Sequence, residues 1–218
     1  MLISFIVCTS NRPKELEILF KSIITSKNNF KVSSEVIVVD QSSKKINKKL
    51  VKNYNFTYLH SRNKGLSASR NIALKITKGD FVAFLDDDCY LDVNYFKNLK
   101  KYLNYDFISA RILTIENKIK PLIKYQINKE FKISKNNFDV VLSSGLIFRS
   151  LIVEKVGFLD EEFGIGAKYG ASEEADYVLR FLKFKFKGIY TPKIQLYHPK
   201  FNPDAFLNLN QLKDKFLN

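Results

Sequence analysis

The sequence contains few of the residues on which specialised scaffolds depend. It has 2 cysteines, 5 prolines and 8 glycines among 218 residues, which argues against a disulfide-rich scaffold, a collagen-like repeat and a low-complexity linker. Cys8 and Cys89 lie in or beside apolar runs without a CxxC or Cys/His cluster, so we expect two reduced, buried thiols. No apolar run approaches the roughly 20 residues that cross a bilayer. The composition, 45% hydrophobic and 27% charged, is that of a folded soluble domain.

Acidic residues are also scarce relative to basic ones. The chain has 36 Lys and Arg against 22 Asp and Glu, for a net charge of +14, and 30 of the basic residues are lysine. Lysine favours diffuse attraction to anions, so nucleic acid, an anionic membrane and a phosphate-bearing substrate are all candidates. Segment 1–7 is apolar but lacks a basic leading region, which predicts a strand rather than a signal peptide. We therefore expect a cytoplasmic protein, with any membrane contact peripheral and on the inner face.

Apolar runs of strand length alternate with helical patterns along the chain. The run at 2–8 suits a strand buried on both faces, and Leu16, Leu19 and Phe20 begin a helical repeat after Pro13. This alternation predicts a doubly wound α/β sheet with ligands at the carboxyl ends of its strands. The predicted strands are 2–8, 35–40, 57–60, 81–85, 140–148 and 189–190; the predicted helices are 14–24, 44–52, a segment ending at 76, 92–103, 150–156, 173–186 and 204–217; residues 111–137 are left unassigned.

Three consecutive carboxylates, Asp86, Asp87 and Asp88, follow the predicted strand 81–85. Their mutual repulsion must be compensated. A divalent cation would do so, because Asp86 and Asp88 project to the same side of an extended chain and carboxylate oxygens suit Mg²⁺ or Mn²⁺. A solvated acidic turn is the alternative. Asp40 ends another strand and shares this sheet edge, either within a nucleotide pocket or as a turn residue. The chain has no GxGxxG and no GxxxxGK[ST] motif.

A second acidic cluster follows a glycine-rich segment. Residues 164–171 hold three glycines and predict a mobile loop, after which Glu173, Glu174 and Asp176 open a helix. Acidic residues in a first helical turn commonly complement the helix dipole. In the functional alternative, one of them is a general base that takes a proton from an acceptor hydroxyl beside the loop.

These motifs occur along nearly the whole chain in an order that resembles family 2 glycosyltransferases, which are inverting, nucleotide-sugar-dependent enzymes of the GT-A fold. Each motif is weak alone, but their order is specific. The motifs are Thr9-Ser10-Asn11-Arg12, Val38-Val39-Asp40 with Ser42 and Ser43, the segment from Asn63 to Asn71, Lys78-Gly79-Asp80, Phe84-Leu85-Asp86-Asp87-Asp88, Gly157-Phe158-Leu159-Asp160-Glu161, and Glu173-Glu174-Ala175-Asp176 with Arg180.

The resemblance implies a mixed, mostly parallel central sheet flanked by helices in a single two-lobed domain spanning 1–218. Residues 1–110 would form the nucleotide-sugar-binding half, and residues 111–218 the half that binds the acceptor and carries the catalytic base. The donor would be a nucleotide sugar, with a UDP-sugar favoured. The acceptor would be a saccharide or a lipid-linked molecule, and the setting a bacterial surface polysaccharide or glycolipid pathway.

The resemblance also implies roles for individual residues. Asp86 and Asp88 match the DxD motif that holds Mn²⁺ or Mg²⁺ and the donor diphosphate, and His198 would join them as a metal ligand. Glu174 matches the catalytic base, where the family has Asp, and Glu173 and Asp176 remain alternatives. The implied donor-binding residues are Thr9, Asn11, Arg12, Asp40, Asn63, Gly65, Arg70 and Asp87.

Other functions remain open at this point. A degenerate GT-A-like protein would bind a nucleotide or glycan without transferring sugar. A sugar nucleotidyltransferase is disfavoured because no Gly-rich phosphate loop with a following Arg occurs near the N-terminus. Nucleic-acid binding is disfavoured because the lysine-rich segments 44–52 and 118–135 lack the aromatic interleaving of a platform for single-stranded nucleic acid and a recognition-helix motif. Those segments suit an anionic lipid or a phosphate-bearing acceptor better, and we expect no nucleic-acid partner.

Overall fold

A computed structural model describes residues 1–62 and 65–200. The predicted donor contact Asn63 and the predicted helix 204–217 lie outside the described residues. Both cysteines are free thiols, with Cys89 buried and Cys8 partly buried. Burial raises the pKa of Cys8 to about 12, so this thiol is protonated at neutral pH.

Four parallel strands form the first part of the sheet. They are adjacent in the order β3-β2-β1-β4, which is the doubly wound arrangement that the alternating pattern predicts. The interior residues of β1 and β4 and the second half of β2 are buried on both faces, which explains their continuous apolar runs, whereas the edge strand β3 is only partly buried. The strands are β1 Leu2–Thr9, β2 Ser33–Asp40, β3 Thr57–His60 and β4 Phe81–Asp86.

The second part of the sheet is mixed. Strand β8 lies antiparallel between β4 and β6, β6 pairs in parallel with β9, and β5 and β7 each pair antiparallel with β9. The unassigned segment 111–137 contains the end of β6 and all of β7. The strand predicted at 140–148 is wrong in its first half, which forms 3₁₀ turns. The strands are β5 Tyr90–Leu91, β6 Phe107–Thr114, β7 Phe131–Ile133, β8 Leu146–Arg149 and β9 Gly188–His198.

Helices cover both faces of the sheet. Helix α1 begins at Pro13, where a missing amide hydrogen costs nothing, and buries Leu16, Leu19, Phe20 and Ile23. It packs with α2 and α4 over one face, whereas α3, α5 and α6 cover the other. The helices are α1 Pro13–Phe30, α2 Lys48–Asn53, α3 Leu66–Leu74, α4 Tyr95–Leu99, α5 Leu151–Val156 and α6 Glu173–Lys183.

The architecture confirms the predicted fold class, a central sheet flanked by helices. The carboxyl ends of the parallel strands share one edge, since Asp40 is in register with Thr9 on one side and with His60 on the other, while Cys8 is in register with Asp86. Thr9, Asp40 and Asp86, the last residues of β1, β2 and β4, therefore lie at the same edge of the sheet. Among the described residues, no helix has the length and apolar character needed to cross a membrane.

Candidate active site

Asp40 ends β2 as a fully buried carboxylate. Its Oδ1 accepts hydrogen bonds from the Ser42 amide and hydroxyl at 2.9 and 2.5 Å and from the Asn47 side chain at 3.1 Å. Its Oδ2 accepts one from the Tyr58 hydroxyl at 2.9 Å. The Asn11 amide donates to Ser42 Oγ at 2.8 Å, so the predicted donor contacts Asn11 and Asp40 belong to one network. Four donors thus compensate this buried charge without a cation.

The acidic turn at the end of β4 is compensated differently. Thr9 Oγ1 donates to Asp87 Oδ2 at 2.7 Å, and Arg12 Nη1 lies 3.1 Å from Asp87 Oδ1 and 2.7 Å from Asp88 Oδ2. Burial raises the pKa of Asp87 to about 6, although the Thr9 hydrogen bond and the Arg12 charge act to lower it. The structure therefore brings together Thr9, Arg12 and the aspartates, all of which the sequence predicts to be site residues.

His198, the last residue of β9, reaches the same turn. Its side chain is 11% exposed, and its Nε2 lies 3.1 Å from Asp88 Oδ1 and 3.7 Å from Asp86 Oδ2. Burial acts to lower the pKa of His198, but the hydrogen bond to Asp88 and both carboxylate charges outweigh it and leave the pKa raised. Burial likewise opposes ionisation of Asp88, yet His198 and Arg12 leave its pKa lowered. The three predicted metal ligands therefore converge.

Arg70, on α3, connects the acidic turn to the second acidic cluster. Its side chain is 1% exposed, with Nη1 2.8 Å from Glu173 Oε1 and Nη2 3.3 Å from Asp86 Oδ1. The guanidinium carbon lies 4.8 Å from the centroid of the Phe84 ring. Burial opposes the charge, but Glu173 and Asp86 outweigh it and raise the pKa of Arg70. Arg70 therefore fixes the start of α6 against the end of β4.

The three acidic residues of α6 have different surroundings. Glu173 is paired with buried Arg70, and Asp176 Oδ2 lies 2.7 Å from Nη2 and 3.0 Å from Nε of Arg180. Glu174 is partly buried and has no ion-pair partner among the described residues. Its burial, followed by the negative charge of Glu173, raises the pKa of Glu174 to about 7. Glu174 is thus the member of the cluster whose carboxylate is free to take a proton near neutral pH.

The glycine-rich loop before α6 packs against the start of α3. The Leu66 amide donates to the Ile165 carbonyl at 2.9 Å. Gly65 has a φ of +122°, and a Cβ added to Gly166 would lie 3.2 Å from the Gly65 nitrogen. Both glycines therefore permit a close approach of two backbones. Gly65, predicted to bind the donor, lies where the loop meets the helix.

Asn71 has a role that sequence reasoning missed. It is 4% exposed; its Nδ2 donates to the Leu159 carbonyl at 2.9 Å and to Glu161 Oε1 at 3.0 Å, and its Oδ1 accepts from the Leu159 amide at 3.0 Å. This side chain therefore attaches the segment before the glycine-rich loop to α3. An asparagine on the buried face of a short helix is the sequence signal for such a contact, because a buried amide needs partners.

The acidic turn offers a suitable set of metal ligands. No group of three or more His, Cys, Asp or Glu side chains within 1–62 and 65–200 is already arranged around a metal position. However, His198 Nε2 lies 3.1 Å from Asp88 Oδ1 and 3.7 Å from Asp86 Oδ2, so all three side chains reach the same turn. Two carboxylates and an imidazole suit Mn²⁺ or Mg²⁺ in chemical type. The residues present therefore fit a divalent cation.

Residues 4–151 match the model of the family described as glycosyl transferase family 2. The chain belongs to this family. The matched segment includes Thr9, Asp40, Arg70 and the acidic turn but ends before α6. Thus the family match covers the ends of the parallel strands and the acidic turn, whereas α6 lies outside the match and is joined to the turn by the Arg70 contacts.

The glycosyltransferase resembles two curated proteins over part of its length. It is 33% identical over 92 residues to a hyaluronan synthase of Pasteurella multocida, covering 39% of this chain and 9% of that protein. It is 36% identical over 95 residues to an uncharacterized glycosyltransferase of Haemophilus influenzae, covering 41% of this chain and 31% of that protein. The chain therefore matches less than a third of either relative.

Solved structures share the fold of this glycosyltransferase. S. aureus TarS 1-349 in complex with UDP-GlcNAc aligns with a TM-score of 0.74 at 20% identity, covering 93% of this chain and 59% of that one. The mannosyltransferase PcManGT from Pyrobaculum calidifontis, in complex with GDP-Man and Mn²⁺, aligns with a TM-score of 0.65 at 16% identity, covering 94% and 59%. At these identities the likeness establishes the fold.

Proposed function

We propose that this chain is an inverting glycosyltransferase that moves a sugar from a nucleoside-diphosphate donor to an acceptor hydroxyl. The observation that carries the proposal is the bridge made by Arg70, which joins Asp86 of the acidic turn to Glu173, the neighbour of Glu174. The donor diphosphate, bound at the acidic turn, and the proton acceptor Glu174 on α6 would then lie close enough to act on the same substrates. The neighbours bound to UDP-GlcNAc and GDP-Man support a nucleotide sugar as the donor.

In this proposal the strand ends bind the donor. Thr9, Arg12 and Asp87 line the acidic turn, while the Asn11 and Asp40 network shapes the neighbouring loop. Gly65 permits the loop approach. A UDP-sugar is the favoured donor. Arg70 acts through Asp86 and Glu173, since its guanidinium is already engaged by both and is almost fully buried.

The metal site of the proposal consists of Asp86, Asp88 and His198. Metal use by the mannosyltransferase neighbour, solved with Mn²⁺, supports a divalent cation here. When bound, Mn²⁺ or Mg²⁺ would offset the negative charge of the departing nucleoside diphosphate. The positive charge of Arg12, 2.7 Å from Asp88, would offset part of the same negative charge.

Proton transfer is assigned to Glu174. A general base works best when its pKa lies near the working pH, and the pKa of Glu174 is about 7. Glu174 would take the proton of the acceptor hydroxyl as the oxygen attacks the anomeric carbon from the side opposite the leaving diphosphate, which inverts the configuration. One catalytic carboxylate suffices, in contrast to the carboxylate pair of most glycosidases.

The proposal extends to the organisation and setting of the chain. Residues 1–110 form the donor half, and residues 111–218 form the half that binds the acceptor and carries the base. The acceptor is a saccharide or a lipid-linked molecule in a bacterial surface polysaccharide or glycolipid pathway, at the cytoplasmic side of the membrane. The curated relative that makes hyaluronan supports a polysaccharide setting.

A nucleotide panel tests the proposal. UDP, GDP, CDP, dTDP and ADP are each added with Mn²⁺, with Mg²⁺ or with chelator, and the melting temperature is recorded. A nucleotide at about 100 times its Kd stabilises the fold by about 2.7 kcal/mol, or about 5–10 °C for a domain of this size. One nucleotide that stabilises the protein only with metal supports the proposal. No shift under any condition contradicts it, and binding without sugar release from the matching donor would favour the noncatalytic alternative.

A further inference from the structure

Segment 116–129 forms a basic and apolar surface beside the candidate active site, and no step of the proposed reaction uses it. It follows β6, whose last residue Thr114 is in register with His198. The Ile115 amide donates to the His198 carbonyl at 3.0 Å. The segment is therefore attached directly to the strand that carries a proposed metal ligand.

The tip of this segment is a tight turn. The Asn117 carbonyl accepts from the Lys120 amide and from the Thr114 hydroxyl, both at 2.9 Å, and Asn117 Oδ1 accepts from the Ile119 amide at 3.1 Å. Between Lys118 and Lys120, Ile119 is 83% exposed, the largest value among the exposed large hydrophobic residues of the described chain. The hydrogen bonds hold an isoleucine outward between two lysines.

The rest of the segment also exposes lysines beside large apolar side chains, and one buried residue attaches it to the body of the protein. Tyr125 and Ile127 are 46% and 50% exposed, and Lys124 and Lys129 are also exposed. In contrast, Gln126 is fully buried, with its Oε1 accepting from the Ile112 amide at 2.7 Å and its Nε2 donating to the Val140 carbonyl at 3.1 Å. Tyr125 and Ile127 are therefore exposed on a segment that the hydrogen bonds of Gln126 hold in place.

We propose that the Lys118-Ile119-Lys120 tip docks on an anionic lipid surface. An exposed isoleucine costs free energy in water but enters the acyl boundary of a bilayer, and a tyrosine suits its polar interface. Flanking lysines are attracted to anionic headgroups and extend their ammonium groups to them along apolar stems. A soluble polyanionic polymer would complement the lysines but would gain nothing from Ile119. Docking here would hold the candidate site beside the membrane.

Because the protein contains no tryptophan, Ile119→Trp introduces a single fluorescent reporter at the tip. Ile18→Trp is a matched control, since Ile18 is 57% exposed on α1 but follows Glu17. Each variant is titrated with vesicles of phosphatidylcholine alone, with vesicles of equal parts phosphatidylcholine and phosphatidylglycerol, and with soluble polyphosphate. Unchanged melting temperatures verify folding, which is expected because both positions are exposed.

The proposal predicts that emission of the Ile119→Trp variant moves to shorter wavelength with anionic vesicles alone, whereas that of the Ile18→Trp variant stays constant. Adding Lys118→Ala and Lys120→Ala should weaken vesicle binding about 25-fold, roughly fivefold per lysine. An unchanged emission of Ile119→Trp with anionic vesicles would overturn the proposal, as would an equal response to polyphosphate. The readout is lipid contact and not sugar transfer, so its failure is distinguishable from failure of the proposed function.

Discussion

Asp40 and the Asp86–Asp88 turn end neighbouring parts of one sheet, yet their charges are compensated in opposite ways. Asp40 is fully buried and receives four hydrogen bonds from neutral donors, which lie in the loop after β2 and on β3. The acidic turn is partly exposed and is contacted by the basic side chains of Arg12, Arg70 and His198, which come from three separate parts of the chain. A buried carboxylate that neutral donors fully satisfy shapes a loop, whereas partly exposed carboxylates that depend on positive charge for compensation suit a bound cation.

The same contrast recurs within α6. Glu173 and Glu174 are adjacent, but Glu173 is paired with a buried arginine, and Glu174 is left with a pKa of about 7. The first residue is expected to contribute to stability and the second to chemistry. Substitutions at these two positions separate the roles.

The largest expected effect is on turnover. Glu174→Gln keeps the shape of the side chain but cannot take a proton, so we expect the turnover number to fall by about 10²–10⁴-fold. Steady-state transfer of the donor selected by the nucleotide panel measures this, and folding is verified by a melting temperature that is not lower than that of wild type, since Gln removes the buried charge. Glu154→Gln, at an exposed position of α5, serves as the control, and full turnover in the Glu174→Gln variant would contradict the assignment.

Glu173→Ala should instead lower stability. It leaves the guanidinium of Arg70 buried with Asp86 alone at 3.3 Å, and breaking a buried pair costs about 3–5 kcal/mol. Denaturant unfolding measures the change. Asp176→Ala breaks a partly exposed pair in the same helix and should cost about 0.5 kcal/mol. Equal losses in the two variants would show that the Arg70 bridge has no special structural role.

The pH dependence should have opposite signs for activity and stability. Because the base must be ionised, turnover is expected to fall about tenfold per pH unit below about 7. The folded pKa of Glu174 is raised above its unfolded value, so its contribution to stability is fully present below pH 4.5 and is lost as pH rises to about 7. Rate profiles and unfolding curves of wild type and Glu174→Gln check both trends. A turnover that stays flat between pH 5 and 8 would contradict the assigned base.

The smallest effect on turnover is expected at the Asp40 network. Tyr58→Phe removes the one donor to Asp40 Oδ2 and should cost about 1–3 kcal/mol of unfolding free energy. Turnover at saturating donor should remain within about twofold of wild type, because the acidic turn and Glu174 are untouched. A loss of turnover as large as that of Glu174→Gln would remove the distinction between the two aspartate regions.

Much of the fold was predictable because buried parallel strands leave a clear record. The runs ending at Thr9, Asp40 and Asp86 are continuous and apolar, and polar residues follow at the carboxyl edge. Strand β6 was missed because it runs into a segment of mixed composition. The first half of the predicted strand 140–148 was wrong because the apolar run Val140-Val141-Leu142 connects two 3₁₀ turns, Phe138–Val140 and Ser143–Gly145.

The site was predictable as a set of residues but not as a set of contacts. The sequence indicated Arg70 as a donor contact, whereas the structure places it between Asp86 and Glu173, 16 and 103 residues away along the chain. Likewise, nothing in the neighbouring sequence indicates that the Tyr58 hydroxyl donates to Asp40, or that the Asn71 side chain bonds to the backbone of Leu159. Such pairings depend on strand order and helix packing, which one sequence does not specify residue by residue.

The division of roles between the acidic turn and α6 is tested most directly by isothermal titration calorimetry, in which UDP is titrated into two variants in the presence of Mn²⁺. In the proposed function, Asp88 of the acidic turn contributes to donor binding, and Glu174 on α6 removes the proton. The Kd of Glu174→Gln for UDP should therefore lie within about twofold of the wild-type value, whereas the Kd of Asp88→Asn should be at least about 100-fold higher. Equal loss of binding in both variants, or wild-type binding in Asp88→Asn, would contradict the division of roles between the two clusters.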